Sequence, residues 1–196
     1  MILFIIFMNT VKLNALKKQA HKTAVEHGFY GDGVKPVSFY FGLVMSEAGE
    51  AINAERKGLH ADVSGFEEDD AKGITFAENF RQHVKDSVED EIADIVIRLL
   101  DYAGLKKYKL HLIDASRIQT DYIVKGEYLA ADLFSLMGFL SDVPNGDDIE
   151  LSLSMLICIF SKCFGMFTGS DKDLWWFVAK KMQYNEHRPM LNGKKY

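Results

Sequence analysis

The chain has 196 residues, 48% of them hydrophobic and 26% charged, the balance of an ordinary globular protein with one sizeable core. Its net charge of -5 gives no global attraction for nucleic acid, so no nucleic-acid partner is expected. Only 3 prolines and long periodic apolar segments argue against an all-β fold and predict an all-α helical bundle, a single domain over 1–196.

Residues 1–7, MILFIIF, are apolar but far short of the ~20 residues that cross a bilayer. No basic segment precedes them and no small-residue cleavage site follows. They read as an extension upstream of a start at Met8, or as a patch that packs on a partner subunit. No other stretch resembles a membrane span, so the expectation is no membrane partner and a cytoplasmic location. A first helix is predicted over 9–27, capped by Asn9 or Thr10, with Val11, Leu13, Leu16, Ala20 and Ala24 on its buried face. Gly28 ends it. His27 closes the helix, and Phe29 and Tyr30 follow ahead of the turn GDGVKP. This aromatic corner either stacks on a planar ligand or plugs the core. A second helix is predicted over about 36–58, with Glu47 and Glu50 at its middle among small and apolar neighbours. Residues 60–80 interrupt the pattern: GFEEDDAKG has no periodicity and reads as an inserted exposed loop or short helix, a lid or plain solvated surface. A third helix over 81–104 carries Glu91 and Asp94, and 105–126 reads as a connecting segment. Three more helices, 127–141, 148–166 and 172–188, bring the count to about six. Cys158 and Cys163, five apart in an apolar helical run, read as buried free thiols.

Residues three apart are neighbours on a helix surface. Glu47 and Glu50 therefore project together, and so do Glu91 and Asp94. Two such helices laid side by side gather the carboxylates, which then resist ionisation unless a cation sits among them. Hard oxygen ligands suit Mg²⁺. On the third helix Asp90, Glu91, Asp94, Arg98 and Asp101 fall on one stripe at ~100° per residue. The remainder is apolar nearly all round, the mark of a buried helix, so the stripe lines something specific. The competing reading is the solvated edge of a bundle. Near the C-terminus Lys181, Tyr184, Asn185 and Arg188 recur every three or four residues. They read as a phosphate and sugar clamp, or as a basic helix end complementing its dipole; the terminal GKKY adds positive charge.

Glu47-Ala48-Gly49-Glu50, then Glu91-Ile92-Ala93-Asp94, then KMQYNEHRP together resemble the MazG-like all-α nucleoside triphosphate pyrophosphohydrolases. That superfamily includes the dimeric dUTPases and related dCTP-cleaving enzymes. The resemblance spans about 21–104 and 176–196; the 60–80 insert is longer than the gap in compact members, and 106–174 has no counterpart. It implies hydrolysis of an NTP or dNTP to the monophosphate and pyrophosphate, with Mg²⁺, or Mn²⁺ in its place, as cofactor. It implies Glu47, Glu50, Glu91 and Asp94 as catalytic metal ligands, one of which, Glu47 by preference, doubles as the base through a metal-bound water. Lys181, Asn185 and Arg188, with Tyr184, match nucleotide-contacting positions, and His27, Phe29 and Tyr30 lie where such enzymes contact the base. It also implies a homodimer or homotetramer, for which Trp175, Trp176 and Phe177 offer apolar surface. The alternative is a non-catalytic helical module that binds nucleotide or a partner and retains the acidic site. A carboxylate-bridged di-metal bundle is disfavoured, because it needs Glu-x-x-His pairs and neither Glu50 nor Glu91 has a His three residues on.

Overall fold

Asn9, Ser87, Asp148 and Asp173 each accept on a side-chain oxygen from the backbone N–H three residues ahead, and each starts a helix. The computed structural model describes residues 8–114, 118, 124–143 and 148–188. Among these residues the fold is all-helical: α1 Thr10–Glu26, α2 Val37–Arg56, α3 Val63–Ala71, α4 Phe76–His83, α5 Val88–Leu105, α6 Leu129–Asp142, α7 Ile149–Thr168 and α8 Leu174–Glu186. The apolar 1–7 segment and the terminal GKKY lie outside the described residues.

The bundle is built around α5. Its apolar residues from Val88 to Ala103 are buried almost without break, and it packs on α1, α2, α7 and α8. Gly104 explains how closely α1 approaches. A Cβ there would lie 2.5 Å from His21 Cβ and 3.0 Å from the Lys17 carbonyl. Beyond α5 the chain returns along α1, where Leu110 N donates to Asn14 Oδ1 at 3.1 Å and Asn14 Nδ2 donates to the Leu110 carbonyl at 2.7 Å. α7 has the length and hydropathy of a membrane span, but it is mostly buried against its neighbours. Cys158 and Cys163 on α7 are buried and free, as expected.

The helix count is eight among the described residues rather than about six, because the 60–80 insert folds into α3 and α4. Phe66 is the reason. It is the one buried residue of α3 and meets Trp176 edge-on at 5.5 Å and Phe76 at 6.2 Å. The acids around it stay on the outside, so one anchor holds a helix that shows no apolar repeat. The third predicted helix also starts later, at Val88 instead of 81. Arg81 belongs to α4, and the chain reverses at Asp86, whose φ of 64° breaks any continuous helix. Trp175 and Phe177, expected to face a partner, are buried in the chain's own core.

Candidate functional site

The stripe on α5 faces α2, and the two acidic pairs meet there. Carboxylate oxygens of Glu47, Glu50 and Glu91 lie within 4.8 Å of one another. Glu47 and Glu91 are buried, while Glu50 is exposed. Asp94 lines the same cavity, yet its Oδ2 accepts from Lys181 Nζ at 2.8 Å. The same ammonium donates to Asp90 Oδ2 at 2.6 Å. Arg98 donates to Glu47 Oε1 twice, through Nε at 2.9 Å and Nη2 at 2.7 Å. The acid cluster is thus a network in which three carboxylates already hold two cationic side chains.

The cavity has a volume of about 420 Å³, within the range of small-molecule sites. Glu47, Glu50, Glu91 and Asp94 line it together; two turns further along α5, Asp101 accepts from Tyr30, which stacks on Tyr40 beside Phe39, and Phe29 lines the cavity as well. His27, Asn185 and Arg188 line it as well. The ring of His27 lies between the Thr23 carbonyl, 2.8 Å from Nδ1, and the Arg188 carbonyl, 3.0 Å from Nε2. It fixes the end of α8 against α1.

Burial sets the charge states. It pushes Glu91 up to about 8, helped by the charge of Asp94. It pushes Glu47 up too, with Asp94 adding to the shift and Arg98 opposing it. Asp90 rises to about 6 because full burial outweighs the pull of Lys181. Burial works against the Lys181 ammonium, but Asp94 and Asp90 overcome it and hold the side chain charged, above its ordinary value. Tyr30 is raised by burial and by the charge of Asp101. These groups fit a divalent cation. The donors are hard oxygens from two helices, Glu91 resists ionisation without a counter-charge, and Asp90 Oδ1 is buried without a hydrogen-bond partner among the described residues. Asp86, Asp90 and Glu91 form a second group whose oxygens lie within 4.8 Å of one another.

Ten of the eleven residues read from the sequence line this cavity. Tyr184 does not: it is buried, stacks on Phe80 at 4.6 Å between ring centroids, and its hydroxyl accepts from Arg81 Nε at 3.3 Å. Its packing against α4 turns it away from the cavity that Asn185 lines. Lys181 reaches the cavity as a buried counter-ion of two aspartates rather than as a free clamp. Asp90, Arg98 and Asp101 were not read as site residues, although the stripe that carries Glu91 and Asp94 contains them. No family model, no curated protein and no solved structure matches the chain.

Proposed function

We propose that the protein is a Mg²⁺-dependent nucleoside triphosphate pyrophosphohydrolase, cleaving an NTP or dNTP to the monophosphate and pyrophosphate. The observation that carries this reading is the convergence of Glu47, Glu50 and Glu91, with Asp94 beside them, in a cavity that aromatic side chains also line. Glu47, Glu50, Glu91 and Asp94 would hold the ion. When bound, Mg²⁺, or Mn²⁺ in its place, neutralises the phosphate chain and makes the attacked phosphorus more electrophilic. Arg98 engages only Oε1 of Glu47, so Oε2 has no protein donor among the described residues and can orient the attacking water. Arg188 and Asn185, at the cavity wall, are the side chains that meet the phosphates and sugar. His27, Phe29 and Tyr30 border the space for the base. We assign the biological unit as a homodimer or homotetramer, supported by the exposure of Tyr128 and Phe134 around α6.

A second reading is a module that binds nucleotide without turnover. Lys181 and Arg98 favour it, since they already neutralise Asp94 and Glu47. Pyrophosphate release from a panel of nucleoside triphosphates with Mg²⁺ separates the two. Turnover that disappears in Glu50→Gln supports hydrolysis. Tight nucleotide binding without release supports the module, and neither binding nor release removes both.

A further inference from the structure

Glu91, Asp94, Arg98 and Asp101 all face the cavity from one helix. Seven residues separate Asp94 from Asp101, about 10 Å along the axis at 1.5 Å per residue. That is about the length of a nucleotide from its innermost phosphate to the far edge of its base. A triphosphate is drawn to the acidic end, where Glu47, Glu50, Glu91 and Asp94 would hold a cation, so the base falls toward Asp101. The walls there suit it. Tyr30 lies edge-on to His21 at 5.0 Å and stacked on Tyr40 at 6.2 Å, a fixed aromatic surface.

The hydrogen bonds of Asp101 are one-sided. Tyr30 OH donates to Oδ1 at 2.7 Å, and His21 Nδ1 lies 2.8 Å from that same oxygen. Oδ2 has no donor among the described residues, although the side chain keeps only 17% of its surface and spends it on the cavity. A carboxylate oxygen only accepts, so what it can take from a ligand is an N–H or O–H. Resting on the pyrophosphohydrolase reading, we infer that Asp101 selects the base: the site takes nucleotides with an exocyclic amine, of the cytosine or adenine type, over bases with a carbonyl at that position.

A site built to satisfy one hydrogen bond rejects a partner that cannot make it by a large factor. Against uracil or hypoxanthine, Oδ2 would meet a second acceptor. Asparagine at 101 keeps the acceptor toward Tyr30 and turns an amide N–H to the cavity, so it should welcome the carbonyl.

The test is kcat/KM for pyrophosphate release with Mg²⁺ on matched pairs: CTP with UTP, dCTP with dUTP, and ATP with ITP. Wild type should favour at least one amino member over its oxo partner by tenfold or more, and Asp101→Asn should shrink that ratio to under threefold or invert it. The pair that responds tells a pyrimidine site from a purine site. Wild-type ratios near one in every pair overturn the inference and leave the hydrolase reading standing, and they do so even if Asp101→Asn fails to fold. An Asp101→Asn effect confined to the ribo-versus-deoxyribo comparison also overturns it, because the carboxylate then holds a sugar hydroxyl. No release from any nucleotide overturns the hydrolase reading and this inference with it.

Discussion

Lys181 brings a positive charge to a place with almost no solvent, and its two aspartates are what make that tolerable. Removing it strands Asp90, which is fully buried and already has one unpaired oxygen. Breaking a buried pair by deleting one partner typically loses about 3–5 kcal/mol. Lys181→Ala should therefore unfold in distinctly less urea, rather than only raise KM. Glu91 gives a prediction in pH. Its carboxyl titrates near 8 in the fold but near 4.5 when free, so between those values the folded chain binds more protons than the unfolded one. Stability without added cation is fully present below about pH 4.5 and falls as pH rises through 8. Glu91→Gln should flatten this decline, read as Tm across pH 5–9, and an undiminished slope would rule out Glu91 as its source. The acids themselves were legible in the sequence because i, i+3 spacing fixes them on one face. Their counter-ions were not. Arg98 meets Glu47, and Lys181 meets Asp90, only because packing brings distant segments together.

The insert shows the same division at the scale of an element. Nothing in GFEEDDAKG repeats at 3.6 residues, so one buried ring was invisible to pattern. In the fold, Phe66 packs on Trp176 and Phe76, and the Lys180 ammonium lies 5.1 Å from its centroid. Lys172 adds an ion pair to Glu67 at 2.7 Å. These contacts make α3 a packed part of the bundle and tie it to α8, the helix that carries Asn185 and Lys181. Phe66→Ala should cost about 3–5 kcal/mol, the usual range for an emptied core aromatic, measured by urea unfolding. A change under ~0.5 kcal/mol, the range of an ordinary surface substitution, would mean that the insert is only surface. Gly104 works on the other side of α5. Gly104→Ala must push α1 outward, since its new Cβ meets His21 Cβ and the Lys17 carbonyl. Overpacking of this kind costs about 1–3 kcal/mol. It also moves His21 off Asp101, so lost stability should come with weaker nucleotide binding.

At the scale of the molecule, the cavity sits where α1, α2, α5 and α8 converge, and those elements share few other polar contacts. The all-α fold could be read from periodicity, and ten of the residues that line the cavity from the acidic pairs and the two aromatic and basic segments. The enclosure itself could not, because it depends on Gly104 spacing and on the ion pairs that seal α8 to α5. A cation bound at the junction would cross-link α2 to α5 and stabilise the folded chain alone. At a hundredfold excess over Kd this linkage is worth about 2.7 kcal/mol. For a chain of this length each kcal/mol moves Tm by about 2–4 °C. Mg²⁺ should accordingly raise Tm by several degrees without nucleotide, and more at pH 9 than at pH 6, where Glu91 is protonated and a poor ligand. Glu50 is exposed and bonds to no other side chain among the described residues, so Glu50→Gln should melt like wild type without metal and lose most of the shift with it. A wild-type Tm indifferent to both Mg²⁺ and Mn²⁺ would take the cation out of the site. The ion pairs of Arg98 and Lys181 would then be the final arrangement of these acids, and with Glu50 unpaired and one ammonium shared by Asp90 and Asp94 a bound ligand would have to approach a cluster that keeps negative charge.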